Sequence, residues 1–406
     1  MRRALLILAL MAAVVACNPD APPTPECPWV KPANPALLVV HVLDGKFVDS
    51  HCQPLRLTGV NRPGMEYRPV QVPSHPAFIS GDDWATSGRD KDYVNTVVSG
   101  LLTWPGNVVR LPLNEECWLG INGASTTYCG APYREFVIRL VLMLGIHGRY
   151  VVLDNHWSAH GSILPGFENG AATNGQDVAP NADHSIEFMR QLAAAFLKAP
   201  GVMFDIANEP HIWLPKGTYV ESRDASWKLY RDGGPYTYDA TQDWMPLRDG
   251  TAYDIAGTQQ LVDAIRSTGS QATILIPGLG TANATDGWMK FRPFDPLDQL
   301  AVSFHTYPNS GANVNNMQNL EGRFTDIDGH YPVFVTEFGD WACPMGMAMG
   351  PFVQQTLDWM RTKGYSYTGW GADSGEGCNG PTLVTNDALG TPSPYGAIVK
   401  ADLAKT

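Results

Sequence analysis

Two glutamates in this 406-residue chain stand where carboxylate chemistry can be done. Val202 to His211 reads V-M-F-D-I-A-N-E-P-H, an apolar run that ends on the amide of Asn208, the carboxylic acid of Glu209 and a proline. Pro332 to Gly339 reads P-V-F-V-T-E-F-G, a second apolar run ending on Glu337. Two carboxyls held at the ends of buried strands can share a double displacement at an acetal carbon. One gives and takes a proton, and the other forms the covalent bond.

Other polar residues fall at equivalent points. Arg110 lies in N-V-V-R-L-P, Asp154-Asn155-His156-Trp157 closes the run from Tyr150, His305-Thr306-Tyr307 closes the run from Leu300, and Trp370 follows the run from Tyr365. Taken singly, each has an ordinary explanation: a structural ion pair, a satisfied core histidine, a packed tryptophan. Their recurrence at matching ends of six strands is harder to assign to packing.

The elements that must position them form an alternating pattern. Candidate strands are Leu55–Asn61, Asn107–Leu113, Tyr150–Asn155, Val202–Asn208, Thr273–Pro277, Leu300–His305, Val333–Glu337 and Tyr365–Gly371. They are near-continuous apolar runs, as parallel strands covered on both faces should be. Helical patterns lie between them at Asp90–Leu102, Pro132–Leu144, His184–Lys198, Asp254–Ser267, Pro351–Lys363 and Pro394–Ala404, with a weaker, polar one at Val314–Phe324. Eight strands alternating with helices predict a (β/α)8 barrel, an α/β fold, with Leu37 to Val48 forming a short N-terminal hairpin that turns at Asp44-Gly45. Long loops follow the strands, the longest from His211 to Tyr253. A doubly wound sheet is the alternative, but no G-x-G-x-x-G or phosphate-loop pattern supports it.

This set of residues resembles glycoside hydrolase family 5, the cellulase and mannanase family of retaining (β/α)8 enzymes. The likeness runs from L-T-G-V-N at the first strand to Trp370 at the eighth, and N-E-P in its strand context is its most specific part. The strand 2 arginine, the D-x-H-W of strand 3 and the H-x-Y of strand 6 match as well. Asn155 departs from the apolar residue or arginine that the family often carries there. The resemblance implies Glu209 as acid/base and Glu337 as nucleophile. Arg110 and Tyr307 would support Glu337, and Asn208 would bond the sugar 2-hydroxyl. His156 and His305 would hold the sugar and tune the carboxylates, with Trp370 as the stacking floor. Trp118, Trp157, Trp213, Trp288 and Trp341 fall on expected active-face loops and are candidates for stacking on sugars. For each of them packing is an equal alternative.

Other chemistries find little support. No metal site is expected, because His156 and His160 follow a strand end and no H-E-x-x-H, C-x-x-C or EF-hand pattern occurs. No cofactor is expected, and a G-x-S-x-G elbow is lacking. A net charge of −12 argues against nucleic acid as a partner.

The N-terminus reads as a leader. Met1-Arg2-Arg3 precedes the apolar run Ala4 to Val15, and Val14-Val15-Ala16-Cys17 resembles a bacterial lipobox that would place a lipid on Cys17. Residues 18–36 are rich in proline and read as a tether, leaving 37–406 as the catalytic domain. An exported protein is expected, attached to the cell envelope through that lipid, or to the outer membrane in a Gram-negative host, and otherwise secreted. Of the seven cysteines, six remain beyond Cys17. They allow fifteen pairings, and the expected set is Cys27–Cys52, Cys117–Cys129 and Cys343–Cys378. The resulting expectation is a monomeric retaining β-glycosidase on a β-linked polysaccharide or oligosaccharide. An endo-β-1,4-glucanase comes first and a β-mannanase is the nearest alternative. A non-catalytic, carbohydrate-binding surface lipoprotein is the reading from another class.

Overall fold

The computed structural model describes residues 27, 38–67, 91–164, 166–168, 171–173, 177–214, 219–238, 252–308, 320, 322–340, 351–373, 380–385 and 391–405. Eight parallel strands close into a barrel: β1 Thr58–Asn61, β2 Val108–Asn114, β3 Tyr150–Trp157, β4 Val202–Asp205, β5 Ile274–Pro277, β6 Leu300–Thr306, β7 Val333–Phe338 and β8 Ser366–Gly369. Each pairs with its sequence neighbours, and β8 closes on β1 through Tyr367↔Thr58. The predicted (β/α)8 barrel is the observed fold. Every residue of these strands except Trp157 is buried, which is why apolar runs rather than alternating patterns marked them. Close approach is required at Gly59, where a Cβ would lie 1.8 Å from the Val108 carbonyl oxygen of β2.

Helices cover the outside at Lys91–Leu102, Ala131–Ile146, Ser185–Ala195, Thr258–Ser267, Pro351–Lys363 and Pro394–Leu403. The barrel's N-terminal end is plugged by a hairpin, His41–Leu43 with Lys46–Val48. Its Asp44-Gly45 turn has φ of 49° and 70°, the left-handed pair that a two-residue hairpin turn needs. Val40, Val42 and Phe47 reach up against Val108, Met203, Leu275 and Phe334. Gln299 fixes the hairpin, accepting from Val42 N at 2.8 Å and donating to Val42 O at 3.0 Å.

Two elements differ from expectation. The long segment after β4 holds a helix, Tyr219–Asp232, and an antiparallel pair, Gly234–Thr237 with Ala252–Ile255. The helix expected from Asp254 therefore starts at Thr258, after Gly257, whose amide is taken by the Gln260 side chain at 2.8 Å. The polar pattern at Val314–Phe324 and the leader and tether fall mostly or wholly outside the described residues.

Cys117 and Cys129 form the expected disulfide, with Cα atoms 4.4 Å apart. Cys27 and Cys52 are each disulfide-bonded, whereas Cys17, Cys343 and Cys378 lie outside the described residues. The Cys117–Cys129 bridge spans a sequence separation of 12. Its loss in a Cys117→Ala/Cys129→Ala variant is expected to cost about 3 kcal/mol by loop entropy. Urea unfolding of the variant beside the parent checks this, and an unchanged midpoint would contradict it.

Candidate active site

The barrel's lower interior is apolar and its upper interior is polar. Arg110, on β2, is fully buried at the centre of the polar layer. Its Nη1 donates to Glu337 Oε1 at 2.7 Å and to Asn61 Oδ1 at 3.1 Å. Its Nη2 lies 3.0 Å from Asp154 Oδ2 and from Asp205 Oδ2, and donates to Asn208 Oδ1 at 3.1 Å. Four strands and the β4 loop are thus tied to one guanidinium, whose planar fork suits several acceptors at once. Burial alone would lower its pKa. The carboxylates of Asp154, Asp205 and Glu337 outweigh that and hold it above the ordinary range.

Glu337 sits near the end of β7 with both oxygens held. Arg110 takes Oε1, and Tyr307 donates its hydroxyl to Oε2 at 2.8 Å. The strand register shifts on both sides of it, between Phe304 and His305 on the β6 pairing and between Val335 and Phe338 on the β8 pairing. Such irregularities re-aim side chains at barrel rims. Glu209 follows β4, and its Oε1 lies 3.0 Å from His305 Nδ1. The same nitrogen is 3.5 Å from Glu337 Oε2, so His305 stands between the two acids. One oxygen from each glutamate and a His305 nitrogen all lie within 4.8 Å of one another. No other grouping of three such donors that could hold a metal is found among the described residues.

The electrostatics separate the groups. Burial raises the pKa of Glu209, against the opposing pull of His156, His211 and Arg110. Burial also lowers His156 to about 4 and His305 to about 3, so both imidazoles are neutral near pH 7. Asp154 is pushed up to about 7, first by burial, and its Oδ2 is 2.6 Å from His156 Nδ1. His156 stacks on Trp370, ring centroids 5.3 Å apart and planes 10° from parallel. Trp370 is half-buried and joined to Gly371 by a cis peptide bond.

Glu209, Glu337, Arg110, His156, Asn208, His305, Tyr307 and Trp370 therefore share one site. The tryptophans divide. Trp157 and Trp213 are partly exposed, and the Trp157 ring lies 6.2 Å from that of Tyr67. Trp118 and Trp288 are corrections: at 1% and 0% exposure they offer no face to a sugar. Trp118 sits on the short helix Glu115–Leu119 and packs edge-on against Phe188, while Trp288 donates to Ile276 O at 3.0 Å and meets Tyr331 edge-on. Trp341 lies outside the described residues. Sequence reasoning missed Asn61, Asp154 and Asp205 as partners of Arg110. The signal was present, since a charged residue within V-M-F-D-I or V-V-L-D must be paired if its strand is buried.

A second buried acid set borders the site. Glu66, beyond β1, and Glu115, beyond β2, are each pushed up to about 8, first by burial. Such an acid keeps its proton in the fold while the unfolded chain releases it near pH 4.5. The stability it contributes is full below about pH 4.5 and is lost as pH rises through about 8. At ~1.4 kcal/mol per pKa unit the loss is on the order of several kcal/mol. The urea midpoint is expected to fall between pH 5 and pH 9, and Glu66→Gln to flatten that fall. A midpoint that climbs across this window would refute the assignment.

Comparison with known proteins agrees with this fold. The family model described as Cellulase (glycosyl hydrolase family 5) matches residues 49–376. The cellulase CelDZ1 of Thermoanaerobacterium sp. is 21% identical over 350 residues, 84% of this chain and 71% of that protein. The β-glucanase SdGluc5_26A of Saccharophagus degradans, also solved with cellotetraose, superposes with a TM-score of 0.59 at 20% identity, covering 91% of this chain and 94% of that one. The Thermomonospora fusca β-mannanase, solved with mannotriose, gives a TM-score of 0.58 at 15% identity, covering 91% and 97%. With the family's motif residues gathered at one end of its barrel, the chain belongs to glycoside hydrolase family 5, the cellulase family, and is a glycoside hydrolase.

Proposed function

We propose that this protein is a retaining endo-β-1,4-glucanase in which Glu209 is the acid/base and Glu337 the nucleophile. The observation that supports this reading is the approach of one oxygen of each carboxyl to within 4.8 Å of the other. Retaining enzymes keep their two carboxyls ~5–5.5 Å apart, whereas inverting enzymes need ~6.5–9.5 Å to admit a water. In the first step Glu337 attacks the anomeric carbon, and the leaving oxygen takes the proton of Glu209. In the second, Glu209 removes a proton from water, whose oxygen displaces Glu337. Burial favours the protonated Glu209 that the first step needs. In this reading Asn208, whose Oδ1 accepts from Arg110, bonds the sugar 2-hydroxyl, and Trp370 floors the reacting subsite. Neutral His305 can donate to the glutamates or accept from them as the proton moves.

The glucan preference rests on the cellulase and β-glucanase among similar proteins, and the mannanase keeps mannan as the second substrate. The test is hydrolysis of carboxymethylcellulose, barley β-glucan, glucomannan, galactomannan and xylan by the chain beginning at Asn18. Cleavage of the first two above the others is expected. Galactomannan as best substrate would replace glucanase by mannanase, and no cleavage by folded protein would favour the non-catalytic binding reading. The leader's V-V-A-C supports export with a lipid on Cys17. Cys17→Ser should release the protein from the membrane fraction of a bacterial host.

A further inference from the structure

At the opposite end of the barrel from the glutamates lies a cavity of about 800 Å³, lined by Arg56, Thr58, Gly106, Asn107, Arg361 and Lys405. Thr58 opens β1 and Asn107 immediately precedes β2, so the cavity belongs to the N-terminal ends of the strands. Three of its six lining residues are cations, in a protein of net charge −12. No carboxylate lines it among the described residues. Arg361 is already paired with Asp358 and Asp402. Arg56 has no acidic partner among the described residues. Its Nε donates to the Tyr365 carbonyl at 3.0 Å and its guanidinium lies over the Tyr367 ring, but Nη2 is buried with no partner. Lys405 is exposed, lines the cavity and has no carboxylate partner among the described residues.

A protein this acidic has many carboxylates, yet among the described residues none lines this cavity beside its three cations. We propose that this cavity is a binding site for a phosphate group, held by Arg56 and Lys405 and distinct from the glycosidase site. Two cations with no carboxylate partner among the described residues match the ~1.5–2 negative charges of a phosphate better than the single charge of a carboxylate. The guanidinium fork suits a tetrahedral oxyanion. The volume lies within the ~300–1,000 Å³ of small-molecule sites, so the phosphate is carried by a larger molecule, either a soluble phosphate ester or a lipid headgroup.

The test uses the unlipidated chain beginning at Asn18 and inorganic phosphate as the probe. Thermal unfolding is followed against phosphate at constant ionic strength, with chloride as the exchange anion. A saturable rise in melting temperature, on the order of 5 °C at phosphate about a hundredfold above Kd, is expected. It should be lost in Arg56→Gln and weakened in Lys405→Gln, with hydrolytic activity unchanged in Lys405→Gln. The second variant keeps the test decisive if loss of the Arg56 contacts impairs folding. Flotation with phosphatidylglycerol against phosphatidylcholine vesicles identifies the source. Vesicle binding that needs Lys405 assigns a lipid headgroup, and phosphate binding without vesicle binding assigns a soluble ester. Equal melting in phosphate and chloride, or a phosphate effect that survives in Lys405→Gln unchanged, would overturn the proposal.

Discussion

Glu337→Ala is expected to lower kcat/KM on a β-glucan by roughly 10⁴–10⁶-fold, the scale on which loss of a covalent nucleophile is felt. The variant should still fold. Removing this carboxylate leaves Arg110 with Asp154 and Asp205, each 3.0 Å from Nη2, so the buried cation is not stranded. The side chain of Glu337 is also not part of the apolar packing that closes the barrel. Its absence opens a small space under the anomeric carbon, edged by the Arg110 guanidinium and the Tyr307 hydroxyl. A small anion such as azide should enter there and attack from the vacated side. Partial rescue of activity on an aryl β-glycoside, yielding the α-glycosyl azide, is therefore expected. Measuring kcat/KM and the configuration of the azide product checks both parts. Full activity in Glu337→Ala, or rescue giving only the β-azide, would take the nucleophile's role away from this residue.

Glu209→Ala is expected to behave differently, because an acid is needed in proportion to how poor the leaving group is. On polysaccharide the loss should be ~10²–10⁴-fold. On an aryl glycoside with a strongly acidic phenol, which leaves without protonation, the glycosylation step should be nearly normal. The covalent intermediate should then accumulate, seen as a burst of phenol followed by slow turnover. The pH profile adds a second reading. Burial raises the Glu209 pKa, so the alkaline limb of kcat/KM should lie above the ordinary carboxylate range and disappear in the variant. The two histidines do not supply that limb, since burial moves both the other way, to about 4 and about 3. An identical loss on polysaccharide and on the activated glycoside would argue that Glu209 only holds the site together.

The residues named above were legible because they occupy rigid positions that leave a periodic trace. Parallel strands buried on both faces must be apolar throughout, so a carboxylate or guanidinium at the end of such a run stands out. Arg110 and Glu337 were found this way, and the same logic applied with more persistence would have paired Asp154 and Asp205 with Arg110. The segment after β4 was less legible. Tyr219–Asp232 is mostly polar and anchors itself through Trp227 and Tyr230, a stripe too sparse to distinguish from a loop rich in aromatics. Tryptophans were the least informative type. Trp118 and Trp288 lie on helices of five and four residues, and whether such a ring turns inward or towards the cleft depends on tertiary packing that no local pattern encodes. The phosphate-binding cavity left no pattern at all. Arg56, Arg361 and Lys405 are spread over much of the chain and meet only because the barrel closes β8 against β1.

The most direct test of the central claim is the configuration of the first product. Hydrolysis of a short cello-oligosaccharide, or of the best substrate from the polysaccharide panel, should be followed by proton NMR before the anomers equilibrate. One oxygen of each carboxyl lies within 4.8 Å of the other, short of the ~6.5–9.5 Å carboxyl separation at which an in-line water is used. The new reducing end should therefore appear first as the β-anomer and reach the α-anomer only by mutarotation. An α-anomer formed first would mean single displacement, and would contradict both the nucleophilic role of Glu337 and the double-displacement mechanism.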